Sequence, residues 1–387
     1  PVTASTSIAG VPEISERGMA FERVFTATDQ YGWTTTPTDV KWTLDDRDGN
    51  VRSVQSPLNI SEAGLYTLRA VSAVGECSTE LFVAPGLPVV SRGAKVAASS
   101  AENVGSMPEG AVDGDTNVRW GSAHTDSEWL TVDLGEMCYL SHVSILWEAA
   151  YAARYAVQLA PADAKMTTLN VNYAGQSRRV AVPEEAAWVT VVEESASSAG
   201  LKDTPVNASG RYLRILGIER GSAYGYSLYE LSAYGVRESM PANAVLGVDF
   251  GLPEVMDRDE TVSLVPHAYT RGGDMINDVD VVWSSDKESD FDGNSFTPRS
   301  HGLYTVRATL SGIGTSESIV FVNDVERIGA ISLERDTYTV IGGDDIVIPF
   351  VVMNQFLAPY TGDAGEIVVS ISDENGAPAV GVGYEAA

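Results

Sequence analysis

The chain has 387 residues, of which 44% are hydrophobic and 20% charged. That apolar content supports several packed cores and excludes wholesale disorder, and at about 100–200 residues per domain the length predicts two to four domains. With 25 basic against 53 acidic residues the formal net charge is −28, which argues against nucleic acid or an anionic membrane as partner; no apolar run reaches the roughly 18 residues of a membrane-spanning helix, so membrane insertion is not expected. The chain opens Pro1-Val2-Thr3, with neither Met nor a signal-peptide apolar stretch, and is expected to be a processed or excised piece.

The first 87 residues read as short strands. Tyr66, Leu68 and Ala70 alternate with Thr67 and Arg69, so one face is apolar and the other polar. Asp48-Gly49-Asn50 and Glu62-Ala63-Gly64 supply turn chemistry between strands. The same module returns later. Val11-Pro12-Glu13-Ile14 matches Leu252-Pro253-Glu254-Val255, Asp39-Val40-Lys41-Trp42 matches Asp280-Val281-Val282-Trp283, and Gly64-Leu65-Tyr66-Thr67 matches Gly302-Leu303-Tyr304-Thr305. Both copies read as antiparallel β-sandwiches, with Trp42, Trp283, Tyr66 and Tyr304 as packing residues. The DVxW strand and the later GLYT strand resemble bacterial immunoglobulin-like domains. Cys77 and Cys138 fall in different expected domains and read as free buried thiols.

Residues 88–238 differ from their flanks. Residues 90–236 hold 17 acidic and 11 basic side chains, a net −6, which leaves −22 for the rest. Strand-like stretches are joined by Gly- and Asp-rich loops. In order they are Ala98-Ser99-Ser100-Ala101-Glu102-Asn103, Ala111-Val112-Asp113-Gly114-Asp115 through Arg119-Trp120, Trp129-Leu130-Thr131-Val132-Asp133-Leu134-Gly135, Trp147-Glu148-Ala149-Ala150-Tyr151 through Gln158, Arg211-Tyr212-Leu213-Arg214-Ile215, and Glu230-Leu231 through Tyr234-Gly235. No long helical period interrupts them, so a β-sandwich or jelly roll is expected. After a second module over 239–326, residues 327–387 offer four more apolar, β-branched runs. These are Ile331–Leu333, Tyr338–Val340, Ile346–Ile348 and Ile367–Ile371. They read as a further immunoglobulin-like sandwich, truncated in length. The fold class expected is therefore all-β, a tandem of sandwiches with one jelly roll between immunoglobulin-like modules.

The ordered set of motifs over 88–238 resembles the F5/8 type C (discoidin) family, which overlaps carbohydrate-binding module family 32. The resemblance implies a galactose-binding-like jelly roll and a bound Ca²⁺. Its ligands would be the carbonyls of Gly110, Val118 and Tyr229 with Asp113, Asp115 and Glu230. Two hard carboxylates flanking a glycine suit an ion that takes six to eight oxygens. Val118 departs from the family, which often carries Thr there. The resemblance further implies a ligand edge built from loops. On this chain the loop aromatics and polar groups are His124, Asp126, Glu148, Tyr151, Arg154, Tyr224 and Tyr226. The family's galactose binders place His after the loop Trp, whereas Gly121 follows Trp120 here, so galactose itself is not the expected sugar.

None of His124, His142, His267 and His301 sits in a metal-ligand spacing, and neither a GxSxG elbow nor a phosphate loop is present. A non-catalytic role is expected: binding of carbohydrate, within a secreted or cell-surface bacterial protein, as accessory to a glycoside hydrolase and next to further domains of a larger parent. Two other readings compete with it. One is a spacer or docking module that binds no glycan. The other is a cell-adhesion module that binds protein or lipid.

Overall fold

The computed structural model describes residues 2–277, 279–311, 314–324, 328–333, 350–354 and 359–360. Of the expected last domain this includes the Ile331–Leu333 strand, whereas Tyr338–Val340, Ile346–Ile348 and Ile367–Ile371 lie outside the described residues. The fold is all-β, as the alternating patterns require. The only described helical pieces are two 3₁₀ turns, Pro108–Ala111 and Glu185–Ala187. No described helix is long and apolar enough to cross a membrane. The chain divides into two compact units. One is Pro1–Leu252 with Ser263–Ser285 and Thr305–Ser318, and the other is Pro253–Val262 with Asp286–Tyr304 and Ile319–Ala387.

The first unit begins with β1 (Thr3–Ala9), β2 (Ile14–Glu16), β3 (Val24–Asp29), β4 (Thr34–Thr35), β5 (Lys41–Asp45), β6 (Val51–Ser53), β7 (Gly64–Ser72) and β8 (Gly75–Ala84). They form two sheets, β1-β3-β4 and β2-β8-β7-β5-β6. Between them Phe21, Leu44, Leu58, Ile60, Tyr66, Leu68 and Leu81 are buried as one cluster. Trp42 is half-buried at the margin of this cluster, with the Arg23 guanidinium 4.7 Å over its ring. Neither cysteine is in a disulfide; Cys138 is buried and Cys77 half-buried.

Next come β9 (Lys95–Ala98), β10 (Ser100–Ala101), β11 (Trp120–Gly121), β12 (Trp129–Trp147), β13 (Ala152–Ala160), β14 (Met166–Tyr173), β15 (Gln176–Pro183), β16 (Val189–Glu194), β17 (Gly200–Arg220) and β18 (Ser227–Arg237). The larger sheet runs β11-β18-β12-β17-β13-β16 with β9 added beside β12, and β10-β14-β15 form a smaller one. Strand β12 is long because it changes partner. Leu130–Asp133 pair with β9, and Cys138–Trp147 pair with β18, while β17 follows both halves. Between the halves, Leu134–Met137 oppose the single residue Arg211, and Arg211 closes this irregularity on Asp133 at 2.9 and 3.1 Å. Leu130, Val132, Val143, Ile145, Trp147, Tyr155, Leu213, Ile215 and Leu231 fill the core together with Trp120. Burying side chains of this size contributes about 1.5–3 kcal/mol each.

The repeat follows as β19 (Val245–Asp249), β20 (Val255–Asp257), β21 (Val262–Ser263), β22 (His267–Thr270), β23 (Met275–Ile276), β24 (Val282–Ser285), β25 (Ser289–Asp292), β26 (Ser295–Pro298), β27 (Gly302–Leu310) and β28 (Gly314–Asn323). Within the first unit, β19-β22-β23 form a sheet and Trp283 packs edge-on against Phe250 at 5.1 Å. In the second unit, β20 pairs in parallel with Phe321–Asn323, as β2 does with Phe82–Ala84 in the first copy. Phe296 and Tyr304 are fully buried there and meet edge-on at 5.9 Å. Strands β29 (Ile328–Leu333) and β30 (Phe350–Asn354) form an antiparallel pair.

Candidate functional site

Loops at one end of the sheets formed by β9–β18 enclose a cleft of about 380 Å³, lined chiefly by Glu102, Arg119, Ser122, Glu148, Tyr224 and Tyr226. Strand pairing positions the walls. Trp120 lies opposite Leu228 and Gly121 opposite Ser227, which brings the loop after β11 against the loop before β18. Ser122 N donates to the Tyr226 carbonyl and Tyr226 N donates back to Ser122 Oγ, both at 2.8 Å. A Cβ on Gly225 would run into the carbonyls of Ser122 and Ala123, so only glycine lets these loops close. Glu148 sits where β12 ends, its N–H donating to the Ser227 carbonyl at 3.0 Å. Its Oε2 accepts the Ala150 N–H at 2.9 Å, which fixes the carboxylate.

The seven residues expected at a ligand edge separate by role. Glu148, Tyr224 and Tyr226 line the cleft. Tyr224 is 65% exposed and offers a ring face, whereas Tyr226 is 1% exposed and forms a wall. His124 braces the rim, its Nε2 at 3.1 Å from Glu102 Oε1 and its ring edge-on to Tyr224 at 5.6 Å. Asp126 is tied to Arg220, whose hydrogen bond holds the Asp126 carboxyl below the usual carboxylate range. Tyr226 donates its hydroxyl to Asp126 at 3.4 Å, and burial pushes that hydroxyl's pKa up. Tyr151 is half-buried, packed on the core with its ring beneath Gly221. Arg154 pairs with Glu193 at 3.0 Å, between β13 and β16, and is not among the residues lining the cleft.

Two charged residues of the cleft escaped the sequence reading. Glu102 belongs to the Ala98–Asn103 motif and Arg119 to the Arg-Trp motif, both read as marks of fold. Arg119 Nη1 donates to Ser227 Oγ at 2.6 Å, and Glu102 N donates to the Gly121 carbonyl at 2.8 Å. The serines of the first motif serve the scaffold. Glu128 accepts Ser100 Oγ–H at 2.6 Å and also the hydroxyls of Ser99 and Thr125. Ser100 Oγ in turn accepts the Ala123 N–H at 2.8 Å, and Trp120 Nε1 donates to the Ser100 carbonyl at 2.9 Å.

Of the residues expected around Ca²⁺, Gly110 lies in a 3₁₀ turn, Asp113, Asp115 and Val118 follow it in the loop before β11, and Tyr229 and Glu230 stand on β18. Asp113 Oδ1 accepts the Asp115 N–H at 2.9 Å. Asp115 Oδ1 accepts the backbone N–H and the side-chain amide of Asn117 at 2.9 and 2.8 Å, which lowers the Asp115 carboxyl pKa. Val118 N donates to the Asp115 carbonyl and Gly110 N to the Met107 carbonyl. Glu230 reaches this loop from β18, its Oε2 accepting the Gly114 N–H at 3.0 Å. Its Oε1 is buried with no hydrogen-bond partner, and the nearest cation is Arg92 Nε at 3.8 Å. Burial raises the Glu230 carboxyl's pKa, while the Gly114 N–H and Arg92 oppose the shift. Pairing with β12 skips Tyr229, passing from Glu230 opposite Leu146 to Leu228 opposite Trp147. An orphaned buried carboxylate oxygen beside an Asp-Gly-Asp turn fits a hard cation. Among the described residues no three Asp, Glu, His or Cys side chains form a cluster able to hold a metal, so such a shell would need backbone carbonyls.

Comparison with known proteins bears on residues 110–215, which match the family model described as F5/8 type C, NedA-like, galactose-binding domain. No curated protein matches the chain. Among solved structures, chitosan-binding module 1 of a chitosanase/glucanase from Paenibacillus sp. IK-5 is 30% identical, over 38% of this chain and 99% of the module, with a TM-score of 0.33. Module 2 of the same enzyme, solved with chitotriose, is 28% identical over the same shares, with a TM-score of 0.32. The family 32 carbohydrate-binding module of Clostridium perfringens NanJ, solved with galactose, is 17% identical over 38% of this chain and 98% of that one, with a TM-score of 0.27. Segment 110–215 belongs to the F5/8 type C, NedA-like galactose-binding domains.

Proposed function

We propose that the chain binds carbohydrate, without catalysis, in the cleft between Glu102, Glu148 and Tyr224. The observation that carries this reading is the convergence of two carboxylates and an exposed aromatic ring on one loop-walled cleft, in a domain of a galactose-binding family. Such sites combine an apolar face for the ring with a few fixed polar groups. Glu102 and Glu148 line the cleft together with one cation, Arg119, whose guanidinium is held by Ser227. The cleft is thus net acidic and suits a sugar carrying hydroxyls and a protonated amine. Ca²⁺ has a structural place in this reading. Asp113, Asp115 and Glu230, with the carbonyls of Gly110, Val118 and Tyr229, would tie β18 to the Asp-Gly-Asp turn. The protein would act on a cell surface or after secretion, as the glycan-holding accessory of a larger bacterial protein with glycoside hydrolase activity. Linkage of that kind raises the local concentration of substrate.

Titration calorimetry of the full chain tests the cleft, using chitotriose, tri-N-acetylchitotriose and galactose. Chitotriose should bind most tightly, and Glu148→Gln should weaken it about tenfold, the equivalent of one charge-assisted hydrogen bond of roughly 1.4 kcal/mol. Absence of heat with all three sugars would remove the carbohydrate reading and leave a spacer role.

A further inference from the structure

The hairpin between β3 and β4 presents two aromatic rings to solvent. Tyr31 is 73% exposed and Trp33 is 75% exposed. The turn that carries them is held at four points. Asp29 Oδ1 accepts the N–H groups of Tyr31 and Trp33 at 2.8 and 3.0 Å. Gly32 N donates to the Asp29 carbonyl and Asp29 N to the Trp33 carbonyl, both at 3.0 Å. Side-chain capping of this kind fixes a turn without help from the side chains at its tip.

The second copy of the module carries the corresponding turn. Its β22–β23 hairpin has the same register, Ala268 opposite Ile276 as Ala27 is opposite Thr35. Its turn keeps three of the four bonds, the exception being the N–H at the position of Tyr31. Gly273 N donates to the Thr270 carbonyl and Thr270 N to the Asp274 carbonyl, both at 2.9 Å, and Asp274 N donates to Thr270 Oγ1 at 3.1 Å. Gly32 and Gly273 hold the same left-handed conformation, at φ +84° and +81°. The positions of Tyr31 and Trp33 are occupied there by Gly272 and Asp274. The hairpin therefore forms without aromatic residues, and the two rings of the first copy are surplus to its fold. The second copy's tip is also closed onto the chain itself, Gly272 N donating to the Ala242 carbonyl at 2.8 Å.

We infer that Tyr31 and Trp33 form a second glycan-binding platform, apart in its residues from the cleft and suited to neutral polysaccharides. Gln30, Thr34, Thr35 and Thr36 beside the rings are exposed, polar and uncharged, and the carboxylate of Asp29 on the turn is engaged by backbone N–H groups. A protein hot spot would place such rings within an apolar, water-excluding patch. A pyranose asks for ring faces to stack on and hydroxyls to bond with, and both are present on a turn already ordered before binding. The net charge of −28 disfavours polyanionic chains and leaves neutral ones unopposed. Two platforms on one chain also allow avidity on a polymer that each would hold weakly alone.

Affinity electrophoresis of the full chain through gels containing hydroxyethylcellulose or barley β-glucan tests the platform. The wild type should be retarded, and the variant carrying both Tyr31→Ala and Trp33→Ala should lose about tenfold or more in apparent affinity. Glu148→Gln should keep the retardation, which separates this platform from the cleft. The double variant should unfold within a degree or two of the wild type, since the second copy folds without these rings. Equal retardation of wild type and double variant, or none in either gel, would overturn the inference. So would a double variant that changes only the sedimentation coefficient, because the rings would then bury a protein contact.

Discussion

Arg220 Nε donates to Asp126 Oδ1 at 2.9 Å, while Arg220 Nη1 reaches the carbonyls of His124, Ala223 and Tyr224 at 2.9–3.3 Å. One guanidinium thus holds both loops that frame the cleft, the one after β11 and the one before β18. Arg220→Met keeps the aliphatic stem and removes the donors. Cleft ligands should bind about tenfold more weakly, while the unfolding temperature stays near the wild type because the pair is solvated. Calorimetry and thermal unfolding of the same preparation check both halves. The folded Asp126 pKa is depressed, so the tie is present above the unfolded carboxylate value and is lost as pH falls through the folded one. The Arg220 tie should therefore hold wherever an ordinary aspartate is ionised, and fail only in stronger acid.

Glu16 and His142 should produce opposing pH effects that hide one another. His142 Nε2 lies 3.9 Å from Glu16 Oε2, and the imidazole stacks on Tyr234 at 4.4 Å. Burial is the leading cause for both groups, with Arg17 and Asp203 as the charged neighbours. It pushes the Glu16 carboxyl up to about 7 and the His142 imidazole down to about 4. A raised carboxyl favours folding in acid, and that stability is lost as pH rises from about 4.5 through 7. A depressed imidazole favours folding above about 6.5, and that stability is lost as pH falls toward 4. Across the overlap the slopes cancel. Urea unfolding of the wild type should show little pH dependence between 4.5 and 6.5 from this pair. Glu16→Gln should leave a stability that climbs with pH, and His142→Asn one that declines, each by about 2–3 kcal/mol across its window. Identical pH profiles for all three proteins would show that the two groups do not titrate as their burial requires.

Calcium should stabilise the first unit through Glu230. Its Oε1 is a buried acceptor left without a hydrogen, and an ion there would satisfy it. At a hundredfold excess over its Kd, Ca²⁺ would add about 2.7 kcal/mol to unfolding. Scanning calorimetry of the full chain with Ca²⁺ and then with chelator reads this directly. Glu230→Gln should abolish the response. A chelator-insensitive wild type would leave Arg92 as the counter-charge of Glu230 and remove the ion from the fold.

Much of the architecture was legible because strand burial has period two. Tyr66, Leu68 and Ala70 are buried as their alternation requires, and Thr67 and Arg69 face outward. The repeat was legible for the same reason: its matched motifs fall on strands with matched pairings. The cleft was legible only in part. Glu148, Tyr224 and Tyr226 stand on loops that the motifs bracket, so their neighbourhood could be anticipated. Arg154 could not be placed, because its partner Glu193, 39 residues on in the chain, is set by pairing of β13 with β16, and no local pattern encodes that register. Glu102 was hidden by its motif, since a residue read as holding the fold was not also considered as facing a ligand.

Glu128 separates scaffold from site. Glu128 is buried and receives hydroxyls from Ser99, Ser100 and Thr125, which belong to two segments flanking the cleft. Through Ser100 it also orients the acceptor of the Ala123 N–H. Glu128→Ala would leave these donors without a partner in a closed space, at roughly 1–3 kcal/mol for each group that water cannot reach. Two of the three donors are only partly shielded, so the total should be about 3 kcal/mol. Glu128→Gln keeps an acceptor oxygen and should lose less than half of that. Urea unfolding ranks the three proteins. Because Glu128 is not among the residues lining the cleft, any loss of sugar affinity in Glu128→Gln should track loop order rather than charge. It should therefore appear equally for charged and neutral sugars, whereas Glu148→Gln should penalise the amino sugar most.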